Sequence, residues 1–361
     1  VYGDYELHEV QTAEGYFLGS EAVPFTVDGK EEVITVEKFN IPQKGRISVQ
    51  KTGDTFASAA VSSSAYTDEN GNVIESPVTY TPVFSESGLA NAVFQIIAGE
   101  DIITADGTVR ANAGDIVAEI ATDENGYAET DLLYLGKYEI KEIQAPDGYA
   151  LNGESQFIEL TYAGQEVEIR DTVNAEFFNE YQGVEITLSK LMEQDGLFNI
   201  GNSDEYTNVR FGLFAAEALT AADGTVIPAD GLISEISLDE MTAKFDVQLP
   251  FGKYYVQEIG TDEHYVLNGE KYLVTFEYQG QDIQTVSIDC GTFENRLKRG
   301  KIEGIKTNES GDPLENALFG LFAMDCTEFT EENALMTAKS DDKGCFSFAD
   351  IPFGEYVIRE L

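Results

Sequence analysis

A lysine, a glutamate and an asparagine recur along this sequence on the apolar sides of strand-like stretches, and together they hold the parts of an amide-forming reaction. Lys51 ends the set Ile47, Val49, Lys51, and Lys190 ends Ile186, Leu188, Lys190. Positions two apart share one face of a strand, so each lysine points where its aliphatic neighbours point. Glu142 follows Tyr138 and Ile140 in the same spacing, Glu258 follows Tyr254 and Val256, and Asn179 and Asn295 follow Phe177 and Phe293. Burial among aromatic rings favours neutral forms, lowering a lysine pKa and raising that of a glutamate. A neutral amine is a nucleophile, and a carboxamide polarised by a protonated carboxyl is an electrophile. The product is an amide between two side chains, with ammonia released. Each residue taken alone reads as a satisfied polar group at a strand end; recurrence of the whole trio favours the chemistry.

The elements that must position these residues form a repeat. A Gly-x-Tyr-x-x-x-Glu stretch occurs four times in the same spacing, from Gly3, Gly136, Gly252 and Gly354, with its glutamates at Glu9, Glu142, Glu258 and Glu360. A Phe-rich strand precedes it around Phe94, Phe211 and Phe319. Opening strands end in Lys51, Lys190 and Lys306, and closing strands are expected to end in Asn40, Asn179 and Asn295. The order is Lys strand, Phe strand, Glu strand, Asn strand. Glu142 to Asn179 and Glu258 to Asn295 both span 37 residues, whereas Glu9 to Asn40 spans 31. Alternation rich in Val, Ile, Tyr, Phe and Thr between Gly, Asn and Asp turns, with no sustained helical stripe, predicts an all-β chain. The expected boundaries are the C-terminal part of a repeat over 1–44, complete repeats over 45–182 and 183–299, and the N-terminal part of a further repeat over 300–361, an excerpt of a longer array. The first complete repeat carries an insertion at about 60–85, read as a loop bounded by Asp68-Glu69-Asn70-Gly71, Pro77 and Pro82.

Composition excludes several classes of function. A net charge of −44 over 361 residues would repel nucleic acid and anionic membranes. No run approaches the roughly 18 apolar residues of a membrane span, so no membrane insertion is expected. Cys290, Cys326 and Cys345 lack metal-site spacing, and pairing of Cys326 with Cys345 stays open. The Asp-Glu-Asn-Gly runs at 68–71 and 123–126 lack the further oxygen ligands of a calcium loop and read as turns. His8 and His264 have no Cys pair or Ser elbow nearby and read as solvated or packed. No phosphate loop or dinucleotide fingerprint is present, so neither cofactor nor metal is expected.

A lysine at the end of the first strand, the Gly-x-Tyr-x-x-x-Glu strand followed by Ala145-Pro146-Asp147-Gly148-Tyr149, and a closing Phe-x-Asn resemble the collagen-adhesin B-type (SpaA-type) domains of Gram-positive surface proteins and pilins. The resemblance covers essentially the whole chain. It implies tandem transthyretin-like β-sandwiches, each closed by a self-formed Lys–Asn isopeptide bond assisted by the glutamate, in a stalk on the cell surface, anchored to the wall through other parts. Carried over, the sites are Lys51, Glu142, Asn179 and Lys190, Glu258, Asn295, with Glu9, Asn40, Lys306 and Glu360 in incomplete ones. Two departures stand out: Thr261-Asp262-Glu263-His264 replaces Ala-Pro-Asp-Gly in the second repeat, and Lys38 stands where the others have Phe177 or Phe293. The chain shows neither the lysine pilin motif nor a sortase signal, so a polymerising shaft subunit is not expected.

Two functions compete on this reading. One is the structural stalk, its reaction a single turnover per site rather than enzymatic catalysis. The other is a binding module for a host extracellular protein or glycan, borne on loops such as 54–88 or 196–208, although the tip from Ala57 to Ala65 lacks the aromatic cluster of a hot spot. In the stalk reading such partners belong to other parts of the parent protein.

Overall fold

The computed structural model describes residues 1–63, 65–67, 73–75 and 77–361, and the chain is all-β. Two compact units contain it. The first comprises Val1–Ala57, Phe84–Gly183 and Tyr278–Thr285, the second Ser58–Val83, Val184–Glu277 and Val286–Leu361.

In the first unit, one sheet runs Ile116–Ala121, Val93–Ala98, Gly136–Gln144, Gln156–Leu160, all antiparallel. The Lys strand, Ile47–Ser62, forms the centre of the facing layer. It pairs antiparallel with Tyr127–Glu129 and parallel with the Asn strand Val173–Asn179, in a register that sets Phe177 beside Lys51 and Asn179 beside Gly53. Strand alternation sends Ile47 and Val49, Tyr138 and Ile140, and Ala175 and Phe177 into one shared core with Phe94 and Ile96. Because the polar residues continue the same alternation, Lys51, Glu142 and Asn179 arrive in that core as well.

The second unit repeats the plan. Leu232–Ser237, Arg210–Ala215, Gly252–Gly260 and Lys271–Phe276 make one sheet. Gly183–Met192 lies between Thr242–Phe245 and Thr285–Asn295 in the other. Further along, Arg299–Ile305 pairs with Cys345–Pro352, and Leu318–Ala323 lies between Met336–Lys339 and Tyr356–Glu360.

Three expectations are corrected. The segment expected as a loop over 54–88 is mainly strand: Ile47–Ser62 continues far past Lys51 and Thr79–Gly88 returns, with Ala65–Thr67 and Val73–Glu75 paired beyond them. The Asp68-Glu69-Asn70-Gly71 run lies outside the described residues. Within the second unit, Ala59 N–H donates to Thr225 Oγ1 at 2.7 Å and Thr79 pairs with Leu232. Secondly, no closing strand leads to Asn40, since residues 28–40 have no strand assignment; Gly3–Leu7 and Val23–Val27 form a two-stranded sheet by themselves. Thirdly, the N-terminal Tyr5 and Leu7 face solvent, because no second layer covers them among the described residues. Cys290, Cys326 and Cys345 are free thiols.

A buried glutamine stands three residues past Asn40 and Asn179. Gln43 accepts from Ala163 N–H at 2.7 Å and donates to the carbonyls of Gly164 and Val167. Gln182 accepts from Gln279 N–H at 2.9 Å and donates to Gly280 and Ile283 at 3.1 and 2.6 Å. Each satisfies three backbone groups that a loop would otherwise bury unpaired.

The turn at 123–126 is closed by Gly126 N–H on Asp123 O at 2.9 Å, with Asp123 Oδ1 accepting from Asn125 and Tyr127 N–H. Gly126 has φ +77°, and a Cβ there would lie 2.0 Å from Lys51 O. Gly107 has φ +80° with open space around it. Gly107→Ala is expected to cost about 1–2 kcal/mol, the left-handed strain alone. Gly126→Ala is expected to cost clearly more, because the Lys strand must also move. Equal losses in thermal unfolding would refute the steric account.

Candidate functional site

Each complete site is built from strand ends meeting over a phenylalanine pair. In the first, Phe94 is the cross-strand neighbour of Glu142 and packs on Phe177, with ring centroids 4.8 Å apart. In the second, Phe211 neighbours Glu258 and meets Phe293 edge-on at 4.9 Å. The rings keep water from the polar groups beneath them. The side chains of Lys51, Glu142, Lys190 and Glu258 are all 0% exposed.

Inside this enclosure the trio is in contact. Lys51 Nζ donates to Asn179 Oδ1 at 2.5 Å, Asn179 Nδ2 donates to Glu142 Oε1 at 2.9 Å, and Nζ stands 3.5 Å from that same Oε1. The second site matches it: Lys190 Nζ to Asn295 Oδ1 is 2.6 Å, Asn295 Nδ2 to Glu258 Oε1 is 2.8 Å, and Nζ to Oε1 is 2.9 Å. The amine is thus one hydrogen bond from the carbonyl it would attack, and the carboxyl contacts the nitrogen that would leave.

Burial dominates the electrostatics. It lowers the Lys51 pKa to about 8, against the opposing pull of Glu142, and raises that of Glu142 against the pull of Lys51. Burial likewise lowers Lys190, opposed by Glu258. The first pair is biased toward amine and carboxylic acid, the forms that nucleophile and proton donor require.

The terminal copies differ. Asn40 Nδ2 donates to Glu9 Oε1 at 2.8 Å and to Thr12 Oγ1 at 2.6 Å, so half of the arrangement is assembled. Glu9 Oε2 and Asn40 Oδ1 are buried without a hydrogen-bond partner. Lys306 Nζ lies 2.7 Å from Glu360 Oε2, with side chains 27% and 47% exposed. The inward glutamate expected at Glu360 is therefore an exposed ion pair, since no Asn strand covers it among the described residues.

Two contributors went unassigned from sequence. Asn152 N–H donates to Glu142 Oε2 at 3.1 Å, and Asn268 N–H to Glu258 Oε2 at 2.6 Å. Their signal was visible as Leu-Asn-Gly, ten residues after each glutamate. Thr261 Oγ1 accepts the other Asn295 Nδ2 proton at 2.7 Å, so the departure from Ala-Pro-Asp-Gly supplies a hydroxyl that Ala145 cannot. His264 is packed rather than placed for chemistry: it pairs with Asp262 at 2.6 Å, 6.1 Å from the Phe353 ring, while His8 meets Glu6 in solvent. No helix among the described residues is long and apolar enough to cross a membrane.

Residues 76–173 and 300–361 match the family model of the SpaA prealbumin-like fold domain. The solved structure of the Bacillus anthracis TIE protein is similar over 100% of this chain and 62% of its own, at 18% identity and a TM-score of 0.52. The chain therefore spans less than two thirds of that protein. BcpA, the major pilin subunit of Bacillus cereus, aligns over 88% of this chain and 87% of its own, at 16% identity and a TM-score of 0.32. The full-length major pilin SpaD of Corynebacterium diphtheriae aligns over 86% and 82%, at 15% identity and a TM-score of 0.24. Comparison with curated proteins finds no match.

Replacing Lys51 by Met removes the cation and leaves Glu142 alone in the core. Its folded pKa then stands above the unfolded value of 4.5, so the folded state holds the extra proton and stability falls as pH rises from 4.5 through the folded pKa. Lys51→Met is expected to be less stable at pH 7 than at pH 4.5, by roughly 1.4 kcal/mol per unit of elevation. Lys51→Met/Glu142→Gln should lose most of that slope. Parallel slopes for the two in urea unfolding would contradict an uncompensated buried acid.

Proposed function

We propose that this chain, which carries SpaA-type prealbumin-like domains, is a load-bearing stalk segment of an extracellular Gram-positive surface protein, its two complete repeats each closed by a Lys–Asn isopeptide bond. The observation that carries this reading is the enclosed Lys–Asn–Glu contact, made twice with nearly the same geometry.

The chemistry follows from the pair sharing one proton. In the tautomer with a neutral amine and a protonated Glu142, Lys51 Nζ attacks Asn179 Cγ, negative charge moves onto Oδ1, and the carboxyl proton passes to Nδ2, the atom that Glu142 Oε1 contacts at 2.9 Å. The carboxylate so formed takes back a proton from the attacking nitrogen, the Oδ1 carbonyl re-forms, the Cγ–Nδ2 bond breaks, and Nδ2 leaves as ammonia. An Nζ–Cγ amide forms, the glutamate is regenerated, and neither oxidant nor cofactor enters the balance. Lys190, Asn295 and Glu258 follow the same course. Each site is consumed by one turnover, so the chain is not an enzyme.

The mechanical role follows from topology. The Lys and Asn strands of the first repeat lie parallel and adjacent, so a pull that arrives through one and departs through the other shears that pair. A bond between Lys51 and Asn179 carries the load directly and shields the 128 residues of sequence separation between them. The corresponding separation in the second repeat is 105. The binding alternative has less support, since the described parts of 54–88 are mostly committed to strand pairing.

The intact chain should weigh two ammonia molecules less than its formula, and Glu142→Ala should abolish one loss while leaving the other. An unshifted mass would end the crosslinking reading. The rate of the first loss should fall as pH rises above about 8, where Lys51 and Glu142 give up their shared proton. In single-molecule stretching, neither complete repeat should show an unfolding step, and Lys51→Ala and Lys190→Ala should each restore one. Full-length unfolding of the unaltered repeats would refute the stalk.

A further inference from the structure

We infer that Asn152 and Asn268 are positioning residues for crosslinking, each pinning the outer oxygen of its glutamate so that the inner oxygen stays on the reacting asparagine. The inference rests on the crosslinking reading above. Asn152 ties its own loop to the Asn strand: its Oδ1 accepts from Glu154 N–H at 3.0 Å, and its Nδ2 donates to Phe178 O at 3.1 Å, the residue just before Asn179. These two bonds fix the backbone whose N–H reaches Glu142 Oε2. Asn268 repeats every contact, on Glu270 N–H at 3.0 Å, Glu294 O at 3.2 Å and Glu258 Oε2 at 2.6 Å.

The N-terminal copy is an internal comparison. Ten residues after Glu9 stands Gly19 instead of asparagine. Asn40 still donates to Glu9 Oε1 at 2.8 Å, as in the complete sites, yet Glu9 Oε2 is buried with no partner. The bond to the outer oxygen is lost where the asparagine side chain is missing. Such an N–H donor stabilises the carboxylate relative to the acid, so it also sets how readily the glutamate gives up its proton during the reaction.

The test follows Asn152→Gly chains recovered unfolded, diluted into buffer and sampled by intact mass and peptide mapping, with the Lys190–Asn295 crosslink in the same molecule as internal clock. We expect the Lys51–Asn179 crosslink to form more slowly by roughly fivefold to tenfold, the effect of one lost hydrogen bond. The acid limb of its pH–rate profile should move to higher pH, with the second crosslink unchanged. If the first repeat fails to fold, Asn268→Gly is read in the same way against the Lys51–Asn179 clock. An unchanged rate, or a slower rate with an unmoved acid limb, overturns the positioning role. Absence of ammonia loss from the unaltered chain would instead refute the crosslinking reading itself.

Discussion

The structure turns on placing a lysine amine and a glutamate carboxyl, 3.5 and 2.9 Å apart in the two sites, where neither touches water. Removing both charges from solvent costs several kcal/mol per ion, and the pair recovers this only with good geometry and further hydrogen bonds. The asparagine supplies part of that compensation by accepting from the lysine and donating to the glutamate. The same contacts place an amine against a carboxamide. Stability of the unreacted state and readiness to react therefore come from a single arrangement, and an amide bond would relieve the burial of charge permanently.

That arrangement depends on topology more than on any one residue. The lysine and asparagine of the first repeat meet because the first and last strands of the sandwich are parallel neighbours, with Phe177 beside Lys51. The glutamate comes from the opposite sheet, where its strand is central and lies next to the Phe strand. A stalk built this way takes tension at the two strands that the proposed bond would join. The surplus of acidic residues, −44 overall, remains on the surface, where water and salt screen it.

The four copies of the glutamate motif show what the surroundings contribute. Glu142 and Glu258 are covered on both sides and face their lysines. Glu360 meets Lys306 in a half-exposed ion pair, of the kind that contributes little to stability. Glu9 holds its asparagine through one oxygen only, and that asparagine also donates to the Thr12 hydroxyl. Similar strand motifs thus give a dry, buried cluster, a surface salt bridge or a half-assembled cluster, according to which layers lie over them.

The sequence by itself determined the all-β class, the order of strands and the inward face of Lys51, Glu142, Asn179 and their counterparts, because strand alternation is a local property written in every second residue. The turn at 123–126 was legible for the same reason. Tertiary structure alone decided the rest. Whether Glu360 is buried depends on a covering layer, which no local pattern encodes. The extent of the hairpin arms over 54–88 depends on pairing between strands whose weakly apolar, Ser-rich sequence reads as loop. Residues 28–40 carry no strand before Asn40 although Val33 to Val36 are all β-branched, because no strand pairs with them among the described residues. Asn152 and Asn268 escaped notice because their contact with the glutamate runs through a backbone N–H, and only the folded chain shows where a backbone donor points.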